Sequence, residues 1–156
     1  MGILKRTWNF WHRLRRMPRT RGFGVQSPTA YSFLRTVVNE SCFLNCHRYD
    51  GEFLASYPHR ASRRDRLLCR VCYVYPHMKV VDLRKSIDFP VLDSLVSKAD
   101  SDTVLVVLHP DANRLAAEKW TALVGDKRSI LTYDMMDCGI AFFDSTKSKQ
   151  HFEVNY

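Results

Sequence analysis

Asp82, His109 and Asp111 are the side chains best placed to do chemistry in this chain. Asp82 falls near the end of the apolar run Met78–Leu83, and His109 and Asp111 follow the run Thr103–Leu108. Open α/β sheets bind small molecules just beyond the carboxyl ends of their strands. The three residues are therefore the candidate cofactor-binding set. Asp111 or Asn113 starts the following helix, so Asp111 also suits its cap, and His109 a loop position. No Ser/His/Asp nucleophile arrangement and no phosphate loop can be built from the spacing, so no catalytic residue is assigned.

Two further groups of side chains invite chemistry. Cys42, Cys46 and His47, with Cys69 and Cys72, supply enough soft ligands for tetrahedral zinc. Against this, Cys69 and Cys72 lie in an apolar helical run, where free cysteine packs as a small hydrophobe. A redox pair works at a helix N-terminus, whereas these two fall inside or late in the expected helix. No metal site is expected. The second group is a basic arm, with Lys5, Arg6, Arg13, Arg15 and Arg16 interleaved with Trp8, Phe10 and Trp11. Such a segment can pair phosphates and stack bases of a nucleic acid, or lie as an interfacial helix on an anionic membrane. It can equally pack its aromatic face on the domain and leave its arginines in water.

The elements that must position these groups follow from periodicity. Leu4, Trp8, Trp11 and Leu14 share one face of a first helical segment, which Pro18 ends. Ser27 and Pro28 mark the start of a second, with Phe33, Leu34, Val37 and Val38 as its buried stripe. A short helix is expected near Glu52–Ser56 and another over about Asp65–Tyr73. Then strand and helix alternate. Met78–Leu83 reads as a strand, and Asp88 caps a helix carrying Val91, Leu92, Leu95 and Val96. Thr103–Leu108 is apolar throughout, as befits a strand covered on both faces. Ala112, Ala116, Trp120 and Leu123 mark the next helix, stopped at Gly125. Ser129–Met135, Gly139–Asp144 and His151–Asn155 close the chain as strands, the first two joined as a hairpin around Asp137 and Cys138.

Composition sets the outer bounds. The chain has 156 residues, 46% of them hydrophobic and 12% aromatic, which suits a single domain with a modest core. The eight Lys and Arg before Glu40 match the net charge of +8, so the remainder is formally neutral. An anionic partner is thus to be sought at the N-terminal arm. No apolar run, Val104–Leu108 included, approaches the ~20 residues of a bilayer span. Residues 1–20 lack a signal-peptide pattern, and Arg6 stands where a myristoylation motif wants Ser or Thr. Five cysteines without such a signal suggest reduced thiols. The expected location is the cytoplasm, with peripheral membrane attachment if the arm binds lipid.

The two ends of the chain resemble a bacterial family of class I S-adenosylmethionine-dependent methyltransferases. The N-terminal likeness is Arg21-Gly22-Phe23-Gly24-Val25-Gln26-Ser27-Pro28, followed by Tyr31, Phe33 and Leu34. The C-terminal likeness runs from Val104-Leu105-Val106-Val107 through Trp120 and Tyr133-Asp134-Met135 to Cys138-Gly139-Ile140-Ala141-Phe142-Phe143 and Lys149-Gln150-His151-Phe152. It resembles the fifth strand, last helix and terminal hairpin of that sheet. Arg66-Leu67-Leu68-Cys69-Arg70 is similar to the helix before the first strand.

The middle departs from the family. No glycine occurs between Gly51 and Gly125, although the family's cofactor turn depends on glycine. Asp82 matches the family's acidic position, but Arg84 and Asp88 replace the two glycines. The strand whose acidic end holds the ribose has no room between Asp88 and Val104. The resemblance implies S-adenosylmethionine as the ancestral cofactor, while the substitutions imply that none binds. The expected fold is a truncated Rossmann-like methyltransferase sheet, mostly parallel with an antiparallel C-terminal hairpin, plus N-terminal helices. Residues 1–26 form the basic arm and connector, and 27–156 the single α/β domain. The expected function is that of a shortened methyltransferase-like protein, inactive alone. The alternative is a small binding module whose arm engages membrane or nucleic acid. A further route is a homodimer, paired through an exposed edge strand, that completes an active site.

Overall fold

Four of five strands point the same way in a mixed sheet of order β1-β2-β4-β3-β5. The computed structural model describes residues 27–38 and 62–155. The strands are β1 (Lys79–Asp82), β2 (Val104–Leu108), β3 (Leu131–Asp134), β4 (Cys138–Phe142) and β5 (Gln150–Glu153). β1 and β2 pair parallel, and β4 runs antiparallel between β2 and β3. The β3–β4 hairpin is as the sequence suggests. β5 instead returns to pair parallel with β3 at the sheet's edge. The fold is α/β.

Helices cover both faces. On one lie α1 (Pro28–Phe33), which continues as a π-helical turn over Leu34–Val38, and α2 (Arg63–Val74). On the other lie α3 (Phe89–Ser97) and α4 (Arg114–Gly125). The alternation along β2 shows why this strand reads as uninterrupted apolar sequence. Val104 and Val106 pack with Phe33, Leu67 and Val71, whereas Leu105 and Val107 pack with Leu92, Trp120 and Leu123.

Local chemistry starts the helices. Ser27 Oγ accepts from the Ala30 amide at 3.4 Å, and Pro28 follows it. The stripe Phe33, Leu34, Val37 and Val38 is buried as its spacing predicts. Arg70 of α2 donates to the Val37 and Val38 carbonyls at 2.7 and 3.3 Å, satisfying groups that the end of a helix leaves bare. Ser62 and Asp65 form a reciprocal capping box on α2.

Two expectations for α3 hold only in part. Asp88 is the N-cap residue, as expected, but it closes a 3₁₀ turn and makes no side-chain cap bond. Val91 is 48% exposed, because Phe89, Leu92 and Val96 form the face that meets the sheet. α4 keeps its predicted stripe, and Trp120 lies across Gly139 of β4. A Cβ on Gly139 would come within 2.3 Å of the indole ring, so this close approach needs glycine. The arm, the expected helix near Glu52–Ser56, and Cys42, Cys46 and His47 all lie outside the described residues. Among the described residues, no helix is long and apolar enough to cross a membrane.

Candidate functional site

The turn after β1 is built from its own aspartate. Asp82 Oδ1 accepts from the Arg84 amide at 3.0 Å, so the carboxylate closes the turn two residues on. The Arg84 guanidinium then folds back on the same group, with Nε 3.0 Å from Oδ2 and Nη2 2.5 Å from it. The Asp82 side chain is 17% exposed and Arg84 59%. Arg84's hydrogen bonds, reinforced by its charge, hold the Asp82 pKa down at about 2. No glycine is needed, because the side chain does what a permissive backbone does elsewhere. Leu83, between them, is fully buried in the core beneath α3 and α4.

His109 follows β2 in a left-handed backbone conformation, φ 54°. Only a few per cent of non-glycine residues adopt it. Three contacts hold it there. Its amide donates to the Asp137 carbonyl at 2.9 Å, and its carbonyl accepts from the Ala112 amide at 3.0 Å. Its Nε2 lies 2.9 Å from Arg64 Nη1. A guanidinium can only donate, so Nε2 accepts and the imidazole is neutral with its proton on Nδ1. Burial lowers the His109 pKa first, and the charges of Arg64 and Arg84 lower it further.

Asp82 and His109 are thus brought into one electrostatic neighbourhood, as their mutual influence shows. Asp111 sits exposed in the turn leading to α4; of the two residues expected to start that helix, Asn113 is the cap, its Oδ1 accepting from the Ala116 amide at 2.9 Å. Sequence reasoning missed Arg64. Its Nε is buried without a hydrogen-bond partner while its other end meets His109. The capping box that starts α2 was a legible signal for where Arg64 sits on the helix. Nothing in the sequence joins it to a residue 45 positions later.

The cysteines take up other places. Cys69 and Cys72 lie in the second half of α2, away from the N-terminus that would activate a thiol. Cys72 is exposed, so it does not pack as the small core hydrophobe expected of it. Cys138 is fully buried in β4. Among the described residues no three His, Cys, Asp or Glu side chains gather as metal ligands. Lys149 acts structurally: its ammonium donates to the carbonyls of Asp126 and Ser129, pinning the start of β5 to the end of α4. Comparison with protein-family models, curated proteins and solved structures finds no match to this chain.

Proposed function

We propose that this chain is a shortened, divergent relative of the S-adenosylmethionine-dependent methyltransferases that does not turn over substrate on its own. The observation that carries the proposal is the Arg84 clasp on Asp82. The residue standing where the family resemblance expects a turn glycine has placed its side chain on the only matching carboxylate. The cofactor is a sulfonium cation. Here it would meet two guanidinium groups, Arg64 and Arg84, and a carboxylate whose charge is already neutralised. These residues do not fit it. Kinship is supported by β4 running reversed between β2 and β3, and by Trp120 lying on Gly139, both within the segment that carries the likeness.

Titration calorimetry with S-adenosylmethionine tests this. The expected outcome is no saturable binding up to millimolar ligand. Micromolar binding at one site per chain overturns the proposal. Arg84→Gly should leave the fold intact and still bind no better than millimolar, because the ribose-holding strand is missing as well.

A further inference from the structure

A cavity of about 330 Å³ opens at the other end of the sheet. Its walls are Phe33, Tyr75, Met78, Val104, Leu131 and Phe142. Val104 and Leu131 begin β2 and β3, and Phe142 ends the reversed β4, so the cavity lies at the amino ends of the parallel strands. It is about 13 Å along β2 from the His109 end, at ~3.3 Å per residue. Its volume falls within the range of small-molecule sites, which begins near 300 Å³.

Its chemistry is specific. Phe33, Tyr75 and Phe142 form a triangle of rings, with centroid separations of 6.3, 5.1 and 5.4 Å. Ring faces attract cations brought within about 6 Å. Burial raises the pKa of the Tyr75 phenol, and its hydroxyl has no hydrogen-bond partner among the described residues. The mouth carries the carboxylates of Asp102 and Asp144 against a single ammonium, Lys147. Lys147 is 4.0 Å from Asp144, which leaves Asp102 without an ion-pair partner among the described residues. Three aromatic residues, among them Tyr75, and the exposed Asp102 thus line one mostly apolar space.

We propose that this cavity binds a small organic amine, a flat apolar ring body bearing one ammonium group, with the ring against Phe33, Tyr75 and Phe142 and the charge toward Asp102. The site is independent of the methyltransferase relationship, since it shares no residue with the carboxyl-end cluster. Either can fail without the other.

Tryptamine, 3-methylindole and indole-3-acetate, with one ring system and three charges, are the probes. Titrated into the full chain at low salt, tryptamine should saturate one site at least about fivefold tighter than indole-3-acetate, with 3-methylindole between them. That ratio suits a contact to an exposed carboxylate, which solvent and salt screen. Asp102→Asn should erase most of the preference while retaining binding of 3-methylindole. Ser101→Trp, at an exposed mouth position, should weaken all three. Chemical-shift changes should centre on Val104 and Leu131 rather than on His109. Absence of saturable binding, equal affinity for the three probes, or a preference untouched by Asp102→Asn overturns the proposal. So does a shift map centred on the opposite end.

Discussion

The two ends of the sheet solve the same problem in opposite ways. Where β1 and β2 finish, α/β proteins usually leave a crevice; here arginines bind its side chains, Arg84 on Asp82 and Arg64 on His109. Where β2 and β3 begin, mostly apolar side chains line a space that stays open, with charged groups such as Asp102 and Lys147 among its lining. A second aspartate explains the first. Asp126 and Arg128, after α4, repeat the clasp: the Arg128 amide and Nε lie 2.8 and 3.0 Å from Asp126 Oδ1. Arg128's hydrogen bonds lower the Asp126 pKa to about 2, as Arg84's do for Asp82. No ligand site is expected after α4. A depressed carboxylate in an Asp-x-Arg turn therefore reports turn closure in this protein, and Asp82 carries no distinct mark of catalysis.

This contrast can be broken by substitution. If aromatic packing holds the open end, Phe33→Ala should have the largest effect. Phe33 is 5% exposed and contacts Tyr75, Tyr133 and Phe142. The expected loss is about 3–5 kcal/mol in chemical denaturation, little changed by salt. A loss below ~1 kcal/mol would mean that the cavity end contributes little. Gly139→Ala comes next, at about 1–3 kcal/mol, because the new methyl group strikes three atoms of the Trp120 ring. Restoration by Trp120→Leu in the same background would locate the strain in that contact.

The arginine-clasped end should respond more weakly. Arg84→Ala should cost less stability than Phe33→Ala or Gly139→Ala, since the guanidinium is exposed, and the cost should shrink in high salt. Its sharper readout is the Asp82 carboxyl, which should titrate near the ordinary 3.8 instead of about 2 when followed by NMR. The sign follows from linkage. A depressed folded-state pKa stabilises above the unfolded value, and that contribution disappears as pH falls from about 4 toward 2. Wild type should therefore lose stability over this window, and Arg84→Ala should lose less.

His109 gives the smallest and most diagnostic effect. Its folded pKa is lowered, so the unfolded chain takes up a proton that the native ring refuses. Stability should fall as pH drops below about 6.5, and His109→Asn should flatten that slope while tolerating the left-handed backbone. A slope unchanged in His109→Asn would place its source elsewhere.

Much of the scaffold was legible. The stripe Phe33, Leu34, Val37 and Val38, the two-sided β2 and the Ala116–Trp120–Leu123 face all follow from spacing, because burial on a helix or strand obeys its period. Asp88 holds the cap position expected of it, but it also ends a 3₁₀ turn, and its side chain makes no cap bond. Val91 was misread because Phe89, Leu92 and Val96 form the inward face of the helix. Of Asp111 and Asn113, both legible as starts of α4, the structure caps with Asn113, a choice within the ordinary uncertainty of a helix boundary.

The amino-acid sequence by itself determined the order of elements, the apolar stripes and the missing turn glycine, because these depend on local sterics and on periodic burial. Only the tertiary structure decided that Arg64 meets His109, that Trp120 needs Gly139 bare, that β5 returns to the edge beside β3, and that a cavity remains beneath Phe33 and Phe142. Those outcomes join residues far apart in the chain. They are set by how two helical layers settle on a twisted sheet, which no local spacing encodes.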